Sequence, residues 1–160
     1  MHHAILANAK VPDVASVLET ADKLSAKHGI TLCLFDADAV YNSRHLESAI
    51  VHAERAFARE TNTAKTLASE IFLYLTGERQ VSRALEIAGL KPGLSRAVVL
   101  AIGYKGGGAI WDLLDRLAWS KNPAGLEANP RALERYGVKG LNGGSEAAIL
   151  ERVALLDVRK

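Results

Sequence analysis

The segment from Gly103 to Gly108 has the composition that most directly suggests chemistry. It follows an apolar stretch typical of a strand and precedes a helical pattern, as a phosphate-binding loop does, because N–H groups at a helix start attract anions. Its spacing fits neither the dinucleotide-binding pattern nor the loop that ends in Gly-Lys-Ser or Gly-Lys-Thr. We therefore predict a turn that uses glycine for positive φ angles. A nucleotide-binding enzyme built on this turn is the alternative hypothesis.

Two pairs of carboxylates could perform acid–base chemistry or bind a metal, namely Asp36 with Asp38 and Asp112 with Asp115. Neither pair is joined to a histidine by a known motif, so we predict local hydrogen-bonding, capping or solvated roles. The five histidines do not form the zinc pattern of two histidines four residues apart around a glutamate. Catalytic groups can also meet only in space, and the sequence favours no such set. It predicts no catalytic residue, no metal ligand and no cofactor.

Arginine residues form a more informative pattern. Arg55 and Arg59 are four residues apart on one predicted helix, and Arg79 and Arg83 repeat this spacing on a later one. Like charges at this spacing repel each other by roughly 0.2–0.5 kcal/mol, a cost that a protein can accept where an anion binds. The alternative is that these are ordinary solvated charges, and Glu86, close beyond Arg83, favours it on periodicity alone.

The overall composition restricts the class of protein. The chain has 160 residues, of which 49% are apolar and 24% charged, as expected for one globular domain over residues 1–160. The net charge of +2 is too small to indicate a nucleic-acid-binding protein, so any anion site must be a local cluster. Without a long apolar run or a signal-peptide pattern, we predict a soluble cytoplasmic protein. The lone Cys33 is expected to be a buried strand residue.

The elements predicted around these residues form an α/β domain that is rich in helix. Apolar stretches predict strands over residues 3–9, 30–35 and 97–102. Helical periodicity and capping residues predict helices over 11–28, 43–60, 64–76, 78–88, 109–119, from 130, and over 145–156. The helix over 64–76 is apolar on most sides and is therefore expected near the centre. We predict a small sheet of about three or four strands flanked by helices, with strand order undetermined.

Residues 34–91 resemble one protein family closely. The matching stretches are Phe35–Ala37, Asn42–Leu46, Ala49–Ala53, Ala56–Phe57, Asn62–Leu67, Glu70–Leu75, Glu78–Val81, Ala84–Leu85 and Gly89–Leu90. This family is the small kinase-binding subunit of the KEOPS complex, related to PRPK-binding protein. The glycine-rich C-terminal third is less specific but agrees in the order of its elements, so the resemblance covers most of the chain.

The resemblance implies a function without catalysis. Members of the family bind the small atypical kinase/ATPase of the KEOPS complex. They also bind the single-stranded 3′ CCA end of tRNA and support the threonylcarbamoyl-adenosine (t6A) modification of tRNA. The expected partners are therefore this kinase and tRNA, with no membrane and no small-molecule substrate.

Residues for both contacts follow from this expectation. A single-stranded RNA end offers phosphates to cations and unstacked bases to flat side chains. The predicted RNA-binding residues are Arg79 first, then Lys65, Asn62 and Arg44, and then Arg83 and His45. Arg79 has an alternative role, an internal ion pair with Glu70. The kinase contact needs apolar area, and it is predicted at Ile149, Leu150, Val153 and Leu156 of the last helix. The alternative for these four residues is a place in the core.

Overall fold

The computed structural model describes residues 1–103, 108–139 and 144–160. The elements in chain order are β1 (His2–Asn8), α1 (Val14–His28), β2 (Thr31–Asp36), α2 (Ser43–Ala58), α3 (Leu67–Thr76), α4 (Val81–Ala88), β3 (Arg96–Ile102), α5 (Gly108–Leu117), β4 (Ser120–Lys121), α6 (Pro130–Arg135) and α7 (Ser145–Arg159). They belong to two compact units. Unit 1 contains residues 1–37 and 90–125, and unit 2 contains residues 38–89 and 126–160.

Unit 1 is built on a four-stranded antiparallel sheet. The strand order is β2-β3-β1-β4, and β3 pairs with β1 from Arg96 to Ile102 and with β2 from Ala97 to Ile102. β3 therefore separates β1 from β2, although α1 connects those two strands directly along the chain. Both helices of the unit contribute to its core, which includes Ile5, Leu34, Val99, Val17, Leu24, Ile110 and Leu113. Burying apolar surface stabilises a fold by about 25 cal/mol for each Å². This apolar layer is therefore the main stabilising contribution to unit 1.

Local sequence explains where α1 begins and ends. The Asp13 side chain accepts a hydrogen bond from the backbone N–H of Ala15 at 3.2 Å, so Asp13 caps the helix. Gly29 ends the helix with a φ of 63°, a conformation that glycine adopts without steric cost. The prediction that this helix begins at residue 11 is wrong, since it begins at Val14, after the Asp13 cap. Cys33 is buried in β2 as predicted, and burial raises the pKa of its thiol to about 12.

Unit 2 is a group of helices around α3. Every residue of α3 from Glu70 to Thr76 is buried, which confirms the central place predicted from its apolar sequence. The helix begins after Thr66, whose hydroxyl accepts from the N–H of Ser69 at 3.1 Å, and ends at Gly77 with a φ of 72°. α2 lies antiparallel to α3, because His45 in its first turn bonds the carbonyl of Leu75 in the last turn of α3.

The structure confirms the α/β class and corrects several boundaries. α3 begins three residues later than predicted, because Thr66 is its cap. α4 also begins later, at Val81, and α7 extends beyond the predicted end to Arg159. The two-residue β4 was not predicted, since two residues carry no periodicity. Of the glycine-rich turn, residues 104–107 lie outside the described residues, whereas Gly103 has a φ of 82°. Among the helices described, none has the length and apolar composition that crossing a membrane requires.

Candidate nucleic-acid interface

The start of α4 forms an open cavity of about 290 Å³ in unit 2, lined by Glu78, Arg79, Gln80 and Arg83. Gln80 is the N-cap residue, and its side chain makes no capping hydrogen bond. The first N–H groups of a helix have no partner within the helix and carry a partial positive charge. The cavity therefore lies at this helix start and is lined by two guanidinium groups and one carboxylate.

The two arginines of this cavity differ in how far they are neutralised. Arg79 is exposed and makes no hydrogen bond or ion pair with the residues that the structure describes. Arg83 is exposed too, but its Nη1 lies 2.8 Å from Oε2 of Glu86. Such an exposed pair contributes at most about 1 kcal/mol, so an anion can compete for Arg83. Arg79 is available to an anion without breaking any existing contact.

Glu70 does not pair with Arg79, which overturns the alternative role considered for that arginine. The Glu70 carboxylate is fully buried, and its Oε2 accepts from the backbone N–H groups of Thr63 at 3.0 Å and Ala64 at 2.7 Å. Its Oε1 pairs with the ammonium group of Lys160. Thr63 and Ala64 lie in the α2–α3 loop, and Lys160 directly follows α7. Both carboxylate oxygens therefore have partners within the protein.

Lys65 and Asn62 lie on the loop between α2 and α3, away from the α4 cavity. Lys65 is exposed, whereas Asn62 is half-buried and donates from Nδ2 to the carbonyl of Ala64 at 2.9 Å. This loop precedes α3, and Arg79 follows α3. Since α3 has 10 residues, the two groups are separated by a helix about 15 Å long. The structure therefore separates Arg79 and Arg83 from Lys65 and Asn62, and it does not gather the predicted RNA-binding residues in one cluster.

Arg44 and His45 begin α2, and only the first is exposed. Nε of Arg44 lies 3.1 Å from a Glu146 carboxylate oxygen. His45 is buried: its Nδ1 accepts from the N–H of Tyr41 at 3.0 Å, so its Nε2 donates to the carbonyl of Leu75 at 2.9 Å. Burial lowers the pKa of His45 to about 4, so the ring is neutral at pH 7. The predicted RNA contact of His45 is corrected here, because both ring nitrogens are bonded inside the protein.

The predicted kinase-contact residues of α7 are largely interior. Ile149, Val153 and Leu156 are buried, and Leu150 is half-buried. Ile149 packs in a cluster with Ala132 and Tyr136 of the α6 region. The core role that the sequence left open is therefore what the structure shows for three of the four side chains. Of this set, only Leu150 offers partial surface to another protein.

The candidate carboxylate pairs have separate surroundings. Asp36 is buried at the end of β2, with the Lys91 ammonium 3.8 Å away. Asp38 accepts from Asn129 Nδ2 at 3.0 Å. Asp112 is paired with Lys27, His28 and Arg116, and these hydrogen bonds and charges, His28 first, lower its pKa to about 2. The contacts fit ion-paired and hydrogen-bonding roles.

A polar network of α2, α3 and α7 was missed by sequence reasoning. The Tyr74 hydroxyl donates to one Asp157 oxygen at 2.5 Å, and Nδ1 of His52 lies 2.8 Å from the other. Burial, then the hydrogen bond to Asp157 and its charge, raise the pKa of Tyr74. Burial acts to raise the pKa of Asp157, but the hydrogen bonds from Tyr74 and His52 outweigh it and lower that pKa. No local pattern signals this network, because its members are far apart in sequence.

Comparison with known protein families gives one match. The model of a family described as kinase binding protein CGI-121 matches residues 10–123, which is well over half of the 160-residue chain. The matched range includes all six predicted RNA-binding residues and ends before α6 and α7. No curated protein matches the chain.

Proposed function

The chain belongs to the CGI-121 family of kinase-binding proteins, and from this we propose that it is a non-catalytic subunit of the KEOPS complex. In this role it binds the atypical kinase/ATPase subunit and the 3′ CCA end of tRNA, and it thereby supports t6A modification. The family match is the observation that carries the proposal. It supports kinase binding directly, whereas the tRNA contact is argued from the charged surface of unit 2.

The α4 cavity supports the RNA part of the proposal. A guanidinium group presents a planar set of donors that fits phosphate, and it also stacks on unpaired bases. Arg79 has no partner among the described residues, and it lines the cavity together with Arg83. The unfilled cap of α4 adds backbone donors at the same place. A short single strand of RNA, with its phosphate–sugar backbone and unpaired bases, matches this combination of donors.

Lys65 supplies a second contact for the same strand. Proteins that bind single-stranded nucleic acid use a basic surface that follows the backbone over several nucleotides. The α4 cavity and Lys65 lie at the two ends of α3, which is about 15 Å long. A strand of several nucleotides can span this distance. We propose that the RNA end lies along unit 2 from Arg79 toward Lys65, with Arg44 as a further contact near the start of α2.

The tRNA contact is tested by comparing full-length and CCA-trimmed tRNA with the wild type and Arg79→Glu. We expect the wild type to prefer full-length tRNA, and Arg79→Glu to weaken that binding by about tenfold. Lys23→Glu is the matched control: Lys23 is an exposed cation of α1 in unit 1, and reversing it changes the net charge by the same amount. Equal binding of the two tRNAs by the wild type would show that the tRNA part is wrong.

The kinase contact is tested by pull-down of the KEOPS kinase. Because Ile149, Val153 and Leu156 are buried, the α7 contact proposed from sequence now rests on Leu150. We expect Leu150→Glu to reduce kinase capture, whereas Leu18→Glu serves as the control, since Leu18 is an exposed leucine on α1 of unit 1. Full capture by Leu150→Glu would place the kinase contact elsewhere, and failure of the wild type to capture the kinase would contradict the proposal.

A further inference from the structure

We infer that Glu70 is a positioning residue for RNA binding: its buried carboxylate fixes the α2–α3 loop so that Lys65 is presented to the RNA. The inference rests on the proposed function, which supplies the RNA. It assigns to Glu70 no contact with RNA, because the side chain is fully buried. Glu70 acts only through the backbone of the α2–α3 loop.

The geometry around Glu70 connects the carboxylate to the residues directly before Lys65. Oε2 accepts from two successive backbone N–H groups, those of Thr63 and Ala64, at 3.0 and 2.7 Å. A carboxylate that accepts backbone N–H groups forms hydrogen bonds about twice as strong as neutral ones. Ala64 is buried, whereas Lys65 is exposed, so the chain turns outward immediately after the anchored amide.

Lys65 is held between two fixed points. The N–H group of Ala64 on one side is bonded to Glu70, and Thr66 on the other side is the cap of α3. The loop is also tied at its start, where the Thr61 N–H donates to the carbonyl of Ala56 at 2.8 Å. Lys65 itself makes no ion pair or hydrogen bond with the described part of the chain. The direction of its side chain therefore depends on its neighbours.

The helix itself does not require this carboxylate. Thr66 already caps α3 through the N–H of Ser69, and an apolar residue at a buried site is often as stable as a buried charge. The carboxylate instead accepts hydrogen bonds from two backbone N–H groups of the loop. Without it, these two N–H groups would have no protein partner. Lys160, whose ammonium also lies 4.6 Å from the Tyr74 ring centre, neutralises the other carboxylate oxygen. The buried charge is thus arranged to order a surface loop.

Glu70→Gln tests this arrangement with almost no change of shape. A glutamine that turns its oxygen toward Thr63 and Ala64 turns its NH₂ group toward the Lys160 ammonium, so two donors face each other. The opposite orientation places the NH₂ group against the two backbone donors. The first orientation keeps both N–H bonds but makes their acceptor neutral, and therefore about half as strong; the second breaks both bonds. In either case we expect the Thr63 and Ala64 amides to exchange hydrogen about tenfold faster.

A double-mutant cycle with Lys65→Ala shows whether Glu70 acts through Lys65. The probe is a single-stranded RNA that ends in CCA, titrated at several salt concentrations. We expect Lys65→Ala to lower the affinity and to reduce the salt slope by about 0.7, and Glu70→Gln to lower the affinity in the wild type. In the Lys65→Ala background, Glu70→Gln should change the affinity by less than about twofold. An equal loss in both backgrounds, or no loss in either, overturns the inference.

Two further measurements keep the outcome decisive. Lys160→Gln removes the ammonium and its 3.3 Å bond to the Thr61 carbonyl but keeps the two backbone N–H bonds to Oε2, so it should lower RNA affinity less than Glu70→Gln does; a loss as large as that of Glu70→Gln overturns the inference. If Glu70→Gln does not fold, hydrogen exchange of the wild type decides. The Thr63 and Ala64 amides should exchange at least about tenfold more slowly than the Lys65 amide, which has no hydrogen-bond partner in the part of the chain that the structure describes; equal rates overturn the inference. Absence of RNA binding by the wild type contradicts the proposed function itself, whereas wild-type binding with any of the other adverse results overturns only the role of Glu70.

Discussion

Replacing His45 should change how the stability of the protein depends on pH. The pKa of His45 is lowered from 6.5 to about 4, chiefly by burial. Because the folded-state pKa lies below the unfolded-state value, the unfolded chain takes up the proton first as the pH falls. His45 therefore contributes stability that is fully present above pH 6.5 and is lost as the pH falls toward 4. Between pH 7 and pH 5 this single group should cost about 2 kcal/mol of unfolding free energy.

The assay is urea unfolding of the wild type and His45→Gln at pH 7 and pH 5, at constant ionic strength. His45→Gln should be less stable at pH 7, because the bonds of the ring to Tyr41 and Leu75 are changed. Its further loss of stability at pH 5 should be smaller than that of the wild type by about 2 kcal/mol. If the variant is too unstable to measure, NMR of the wild-type ring suffices, since its signals should not titrate above pH 5. Equal pH dependence in both proteins, or a ring that titrates near pH 6.5, would refute the reasoning.

Three other substitutions test separate features of unit 2 by urea unfolding. Asp157→Asn should destabilise by about 1–2 kcal/mol, because the carboxylate that bonds both Tyr74 and His52 is lost; unchanged stability would show that the network is unimportant. Gly77→Ala should cost about 1 kcal/mol or more, since φ is 72° there, and a smaller effect would contradict the strain argument. Asn42→Ala should cost about 1 kcal/mol by removing the cap of α2, and a neutral result would mean that water replaces it.

The elements of this fold were predictable where the signal is local. The apolar sequence of α3 indicated a central helix, and the predicted end of α1 at residue 28 and start of α6 at residue 130 agree with the structure. Boundaries failed where several polar residues competed for one role, as in the segment before Thr66. The strand order could not be predicted, because β3 lies between two strands that precede it in the chain by 60 residues or more.

The candidate site was less predictable than the fold, because burial depends on tertiary packing. In sequence His45 resembles a basic surface residue, and it is interior because helix packing brings the carbonyl of Leu75, 30 residues away, against its ring. The stripe formed by Ile149, Val153 and Leu156 shows that α7 has an apolar face, but a stripe does not reveal whether that face covers the same chain or a partner. Glu70 was identified only as a possible partner of Arg79, since its true partners come from a loop and from Lys160.

The position of β3 has a consequence for how the sheet is made during synthesis. β1 and β2 are completed first, yet they share no hydrogen bonds with each other, and both pair with β3. Until residue 102 has left the ribosome, the two earlier strands expose unpaired backbone edges, which are prone to join other chains. Pairings so distant in sequence also form slowly. A newly made chain should therefore be most vulnerable to aggregation in the interval between the appearance of β2 and the arrival of its central strand.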